Sequence, residues 1–332
     1  MKVLVTGVGG QLGHDVMNEL AKRGYEGIGS DVKECYSGIQ DGTAVTQMPY
    51  IPMDITDESS VKQVLTSLQP DAVVHCAAWT AVDLAEDDDK VSLVRAVNAG
   101  GTANIAKVCK TLSCKMVYLS TDYVFDGQGT APWDPDCKDY KPLNVYGQTK
   151  LDGELAVSSA LEKYFIVRIA WVFGKNGKNF IKTMLKLGKT HDTLRVVSDQ
   201  IGTPTYTYDL SRLLVDMIET EKYGYYHATN AELSAACGEY TTEGCKTGYI
   251  SWYDFTREIF RQAAAMGHSE YASENLQVLP VTTAEYGASK AKRPFNSRLD
   301  KRKLTSNGFQ PLPDWQDALK RYLQELDLDH LD

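Results

Sequence analysis

Lys2-Val-Leu-Val-Thr6 runs without a break into Gly7-Val-Gly-Gly10-Gln-Leu-Gly13, and this junction constrains the chain more than any other stretch. A short apolar run of strand type is followed by three glycines at three-residue spacing, then by an amphipathic run from Gln11 to about Arg23. Strand, glycine turn and helix together suit a pyrophosphate. Glycine lets the backbone turn tightly and approach the phosphates, which rest on the unsatisfied N–H groups of the helix N-terminus. Gly7, Gly10 and Gly13 are therefore expected to bind a dinucleotide, within an α/β fold whose sheet is parallel and doubly wound.

The following segments fit that frame. A second strand, Tyr25 to Ser30, ends at Asp31, about twenty residues past the glycines, where a carboxylate accepts from a ribose 2′-hydroxyl and repels a 2′-phosphate. Lys33, two residues on, argues for the opposite preference. Asp54-Ile55 is read as closing a third strand, with the acid facing an adenine, and Thr56 or Asp57 caps a helix from Glu58 to Leu68. Asp71 to Cys76 is a fourth strand, and Ala77-Ala78 after it leave room for a cofactor at the strand tip. His75, inside the apolar run, reads as core. Glu86 to Lys90 reads as a solvated turn, and Val91 to Leu112 as a helix whose Asn98 needs a hydrogen-bond partner.

A fifth strand from Lys115 ends in Ser120-Thr121-Asp122-Tyr123-Val124-Phe125. About twenty-five residues later, past Pro132, Pro135 and Pro142, comes Asn144-Val-Tyr146-Gly-Gln-Thr-Lys150. Tyr146 and Lys150 share a face if this segment is helical. A free phenol, with its pKa near ~10, exchanges protons poorly at neutral pH. A neighbouring ammonium is expected to move that value down, fitting the phenol to give a proton to an oxygen becoming an alkoxide. A hydroxyl at the strand tip, Thr121, can hydrogen-bond the same oxygen. Tyr286 and Lys290 repeat the spacing, but no strand tip precedes them and Pro294 soon interrupts a helix.

The chain has 332 residues, 43% of them hydrophobic, and a net charge of −9. That balance argues against a nucleic-acid partner. A strand beginning at Lys2 leaves no room for a signal peptide, and no apolar stretch is long enough to span a bilayer, so no membrane association is expected. The seven cysteines form no C-x-x-C pair, which suits reduced thiols in the cytoplasm. Cys237 and Cys245, with Glu239 and Glu243 between, lack histidine and a familiar spacing, so no metal site is expected there.

Taken jointly, these segments resemble the extended short-chain dehydrogenase/reductase superfamily and, within it, the family of dTDP-4-dehydrorhamnose reductases. The residues carrying the resemblance are Gly7 to Gly13, Ala77 to Asp83, Ser120 to Phe125, Asn144 to Lys150, Arg168 to Gly174, Asp199-Gln-Ile-Gly-Thr-Pro-Thr205 and Arg293-Pro-Phe-Asn-Ser-Arg-Leu-Asp300. The resemblance covers residues 1 to 330. It implies a Rossmann-type sheet with a smaller, interleaved substrate-binding lobe. Residues 1–173, rejoined by about 207–230, would form the NAD(P)-binding domain, and 174–206 with 231–332 mainly the lobe. Gly10, Gln11 and Leu12 would hold the pyrophosphate, Asp54 and Ile55 the adenine side, Ala77 and Ala78 the nicotinamide half. Thr121, Tyr146 and Lys150 would be the catalytic triad, with Lys150 also on the nicotinamide ribose. Thr121, Asp122, Tyr123 and Trp171 would face a dTDP-sugar. Two stretches are longer than the family pattern, Lys33 to Pro49 and Ala231 to Tyr249, and both read as surface loops.

The expected activity is reduction of the C4 ketone of dTDP-4-dehydro-L-rhamnose by NADPH or NADH. Two alternatives use the same fold: a sugar-nucleotide epimerase or dehydratase holding NAD tightly, and a non-catalytic regulatory subunit of the methionine-adenosyltransferase type. The intact Thr121, Tyr146 and Lys150 argue against the latter. The resemblance is compatible with a homodimer and with magnesium dependence, neither of which is legible in the residues.

Overall fold

A computed structural model describes residues 1–231, 248–287 and 289–330. Seven parallel strands form the central sheet: β1 (Lys2–Thr6), β2 (Glu26–Asp31), β3 (Tyr50–Pro52), β4 (Ala72–His75), β5 (Lys115–Thr121), β6 (Tyr164–Ile169) and β7 (Gly224–His227). Their spatial order is β7-β6-β5-β4-β1-β2-β3. The order reverses between β1 and β4, and the crevice beyond the carboxyl ends of strands at such a switch is where this architecture binds ligands. Thr6 lies in register with Ser30 on one side and His75 on the other.

The helices are α1 (Gln11–Lys22), α2 (Glu58–Leu68), α3 (Val91–Arg95, Ala96–Gly101 and Thr102–Leu112 in succession), α4 (Val145–Ala160), α5 (Phe180–Gly188), α6 (Thr207–Ile218), α7 (Trp252–Ala265) and α8 (Trp315–Glu325). Both sheet faces are covered, which explains why the strands are apolar runs without alternation. Val3, Val5, Val74, Val117 and Phe165 pack with Val16 and Leu20 of α1 and Leu210 and Leu214 of α6. Leu4, Val73, Met116 and Ile166 face the other way, onto Val61 of α2, Ile105 of α3 and Val157 of α4. A separate apolar cluster gathers Ile181 and Leu185 of α5, Phe255 and Ile259 of α7, and Trp315 and Leu319 of α8.

Four local expectations change. The third strand ends at Pro52, because Asp54 begins a turn in which its carboxylate accepts from the N–H (2.9 Å) and hydroxyl (2.7 Å) of Thr56. The helix from Val91 widens into π geometry over Ala96–Gly101, where the Ile55 side chain presses on Gly101; a Cβ there would come within 2.6 Å of Ile55 Cγ1. The sixth strand, which the apolar run predicts over Tyr164 to Val172, stops at Ile169, since Trp171 adopts φ +51, and Val172–Phe173 pairs instead with Thr205–Tyr206. Lys33 to Pro49 is no free surface loop. Tyr36 meets His14 (2.8 Å), Lys175 donates to Asp41 (2.9 Å), and Val45 is buried after donating its N–H to Asn18.

Residues 232–247, including Cys237, Glu239, Glu243 and Cys245, lie outside the described residues. Among those described, no helix is long and apolar enough to cross a membrane.

Candidate active site

The glycine turn is shaped by contact. Gly7 has φ +69, a left-handed conformation that favours glycine, and a Cβ on it would lie 2.6 Å from the Ala77 nitrogen. A Cβ on Gly13 would meet the Gly7 carbonyl oxygen at 2.4 Å. Gly10 caps α1 without a side-chain acceptor, so the first N–H groups of the helix are available to an anion. Leu12 sends its side chain into the core, leaving only its backbone for that role. Gln11 Oε1 accepts from Asn179 (3.0 Å), and Asn176 donates to the carbonyls of Gly9 (3.0 Å) and Gly10 (3.2 Å). These residues fit a dinucleotide: a close backbone approach, a helix N-terminus free of a side-chain cap, and a carboxylate at the tip of β2. That carboxylate, Asp31, accepts from the N–H groups of Gly9 (3.2 Å) and Val32 (2.8 Å), so it also braces the turn. The Asp54 carboxylate is engaged by Thr56, and the Ile55 side chain is buried against α3.

Beyond β4, Ala77 and Ala78 are half-buried, and the Ala77 N–H donates to Thr6 Oγ1 (3.3 Å). His75 is core, as expected. Its ring nitrogens meet Thr6 (2.7 Å) and Thr102 (3.1 Å), and burial pulls its pKa down to about 3. Asn98 finds its partners at the π-helical widening: it accepts from the Trp79 N–H (2.8 Å) and donates to the Trp79 carbonyl (3.2 Å) and Thr149 (3.1 Å). These bonds fasten the segment after Ala78 to α4.

Tyr146 and Lys150 lie one turn apart at the start of α4. Asn144 caps that helix, accepting from the Gly147 N–H (2.7 Å) while donating to the Lys292 carbonyl (2.7 Å). Gly147 presses on the loop leaving β5, where its Cβ would lie 2.3 Å from the Tyr123 carbonyl oxygen. The contact sets Tyr146 beside Thr121, and the Tyr123 and Tyr146 rings meet edge to face at 5.6 Å. Thr121 Oγ1 donates to Asp122 Oδ1 (3.0 Å) and accepts from the Tyr123 N–H (3.2 Å). Burial pushes Asp122 up to about 6. Lys150 Nζ lies 4.1 Å from the Tyr118 ring centre; burial pulls the ammonium down to about 7, against the opposing pull of Glu154.

The expected depression of Tyr146 does not occur. Burial and the Asp122 carboxylate move it above the ordinary phenol range, with Thr121 acting the other way. In so apolar a place the loss of water decides the outcome, and Tyr146 stands as a neutral phenol, a proton donor.

Trp171, half-buried, stacks on Trp252 of α7 at 3.8 Å. The segment Arg293 to Asp300 passes over the exit of β5, with Asn296 donating to the Gln128 and Ala131 carbonyls. Tyr286 is exposed at the end of a four-residue helix and Lys290, beyond that helix, pairs with Asp87, so the rival pair does not share one helix face. Glu86, read as solvated, instead accepts from the Val145 N–H (2.7 Å) and holds the first turn of α4. Reading the sequence also missed Asn176, Trp252 and the bracing role of Asn144. Only Asn144 had a local signal, a capping residue just before a helix. Among the described residues no cluster of three or more His, Cys, Asp or Glu could hold a metal ion.

The family model described as RmlD substrate binding domain matches residues 1–328. A dTDP-4-dehydrorhamnose reductase of Aggregatibacter actinomycetemcomitans is 37% identical, over 96% of this chain and 97% of that protein. A crystal structure of a dTDP-4-dehydrorhamnose reductase from Clostridium acetobutylicum superimposes with a TM-score of 0.81 at 36% identity, covering 98% of this chain and 99% of the other. That of the Bacillus anthracis enzyme, in complex with NADP, gives 0.80 at 36%, covering 98% and 100%.

Proposed function

The chain belongs to the RmlD substrate-binding-domain family, and from that membership we propose that it reduces the C4 ketone of dTDP-4-dehydro-L-rhamnose to dTDP-L-rhamnose with NADPH or NADH. The observation that carries the reading is Tyr146 bonded to Thr121 at the tip of β5, with Lys150 one turn further along α4 and its ammonium near Cys76 at the tip of β4.

The nicotinamide dinucleotide supplies the hydride. Gly7, Gly10, Gln11, Leu12 and Gly13 would hold its pyrophosphate through backbone N–H groups, Asp31 its adenosine ribose, and Ala77 and Ala78 would leave room for its nicotinamide. Tyr146, kept neutral by burial, gives its proton to the developing alkoxide. Thr121 orients the carbonyl oxygen. Lys150 holds a ribose hydroxyl and offsets the charge left on Tyr146 when its proton departs. Asp122, Tyr123 and Trp171 face the sugar nucleotide. The paired rings of Trp171 and Trp252 offer an apolar surface and an indole N–H donor.

The nucleotide-binding domain is residues 1–173 together with about 207–230, which carry α6 and β7 onto the main sheet. Residues 174–206 and 231–332 form mainly the substrate lobe. We read the protein as cytoplasmic and capable of forming a homodimer. The deciding experiment follows NAD(P)H absorbance while dTDP-4-keto-6-deoxyhexoses differing at C3 and C5 are offered. Turnover restricted to the L-rhamno configuration supports the reading, and no oxidation of either cofactor with any of them defeats it.

A further inference from the structure

We infer that Asp122 is a positioning residue that sets the direction of the Thr121 hydroxyl: as a carboxylate it holds the Thr121 proton, and as a carboxylic acid it donates to Thr121 Oγ1 and releases that hydroxyl to the substrate's carbonyl oxygen. The inference rests on the reading of Thr121 as the group that orients the carbonyl.

A threonine hydroxyl has one proton and two lone pairs. In this site the proton goes to Asp122 Oδ1 at 3.0 Å, and one lone pair takes the Tyr123 N–H at 3.2 Å. So arranged, Thr121 has nothing left to donate to a ketone. The remaining lone pair faces Tyr146, whose phenol is held by the same oxygen. Asp122 is itself 2% exposed, and its Oδ2 has no partner at full hydrogen-bond geometry among the described residues, the Ser297 hydroxyl standing near the carboxylate without closing on that oxygen. An unpartnered oxygen on a buried carboxylate is costly and calls for an explanation.

One proton resolves each of these conflicts. On Asp122 it removes the buried charge and turns the acid into a donor that takes over the Thr121 lone pair held by the Tyr146 phenol. The Thr121 hydrogen then swings toward the crevice, and the Tyr146 phenol, no longer needed by Thr121, is free to donate to the same substrate oxygen. Burial already favours the acid form, pushing Asp122 up to about 6, while Thr121 and Ser297 favour the carboxylate. The other titratable groups around Asp122 are Tyr146 on α4 and Tyr123 beside it; Arg293 and Asp83 stand behind Tyr123. Arg293 donates to Asp83 at 2.7 Å, so that cation is already paired.

The test is the pH profile of kcat/KM for the sugar nucleotide at saturating cofactor, in the wild type, Asp122→Asn and Asp122→Ala. An acid form titrating near 6 predicts a fall of about tenfold between roughly pH 5 and pH 7, which the Lys150 part below raises to about twentyfold in the wild type. Both variants lack the titrating group and should fall by no more than about twofold, the part due to Lys150 losing charge. Either variant that folds and keeps the full limb overturns the inference. Thr121→Val separates it from the reading beneath. Lost turnover in Thr121→Val with an unaltered limb in Asp122→Asn removes the role of Asp122 alone. Unchanged kcat/KM in Thr121→Val removes both.

Discussion

Glu154 and Arg168 face each other as a buried fork-to-fork pair: Nε donates to Oε1 and Nη2 to Oε2, both at 2.8 Å, and both side chains are at 0% exposure. Arg168 also donates to the Pro135 carbonyl (3.1 Å) and the Tyr140 hydroxyl (3.1 Å), so the pair ties α4, β6 and the proline-bearing loop together. Glu154 is one turn past Lys150. Removing one charge strands the other, and Glu154→Gln is expected to cost about 3–5 kcal/mol of stability. Urea denaturation measures it, with an apolar double replacement of Glu154 and Arg168 expected to recover much of the loss.

Tyr146→Phe removes the proton donor and little else. Turnover should fall by roughly 10²–10⁴-fold, while cofactor affinity, followed by nucleotide fluorescence, stays within about twofold. Near wild-type kcat in the variant would remove Tyr146 from the chemistry.

Lys150 makes a prediction about stability. Its folded pKa, about 7, lies below the 10.5 of a free lysine side chain, so between these values the unfolded chain binds more protons than the folded one. Stability contributed at this position therefore rises as pH increases through that window. Against Lys150→Met, which has no such linkage, the wild type should gain thermal stability between pH 7 and about 10. Parallel melting curves across that range would contradict it.

Asp31 governs the choice of cofactor, with Lys33 acting in opposition. The wild type should use NADH and NADPH within about tenfold of each other in kcat/KM, ~1.4 kcal/mol. Because Asp31 also accepts from the Gly9 N–H, Asp31→Ala should loosen the turn and slow both, NADH the more. A ratio that moves toward NADH would assign the discrimination elsewhere.

Trp171→Phe should raise KM for the sugar nucleotide several-fold, leave cofactor affinity alone, and alter the melting temperature little. Its ring is only half-buried and a phenyl keeps part of the stack on Trp252. A large loss of stability with unchanged KM would make Trp171 a packing residue.

The sequence exposed the parts of this molecule whose physics is local. The Gly7 turn, the tip of β5 and the start of α4 each carry their cause within a few residues: a close approach, a strand end, a cap. What stayed hidden is set by distant partners. Glu86 looks like any residue of an acidic run until Val145 is placed against it. Lys33 to Pro49 looks polar and idle until Lys175 and Asn176 meet it. The pKa of Tyr146 was misjudged for the same reason: spacing along a helix reveals Lys150, but only packing reveals how little water reaches the phenol. The break at Trp171 had no local cue at all, since an indole at positive φ runs against backbone preference.

The passage of Arg293 to Asp300 over the β5 exit gives the site an order of assembly in time. Thr121, Tyr146 and Lys150 leave the ribosome with about 150 residues still to be made before Ser297 and Arg298 exist. At roughly 5–20 residues per second, that is about 7–30 s. During that interval the nascent sheet has its nucleotide turn but no cover over Trp133, whose N–H and indole are later held by Arg298 and Asn296. A nascent chain therefore holds the residues of its cofactor turn well before it can present a finished pocket to a sugar.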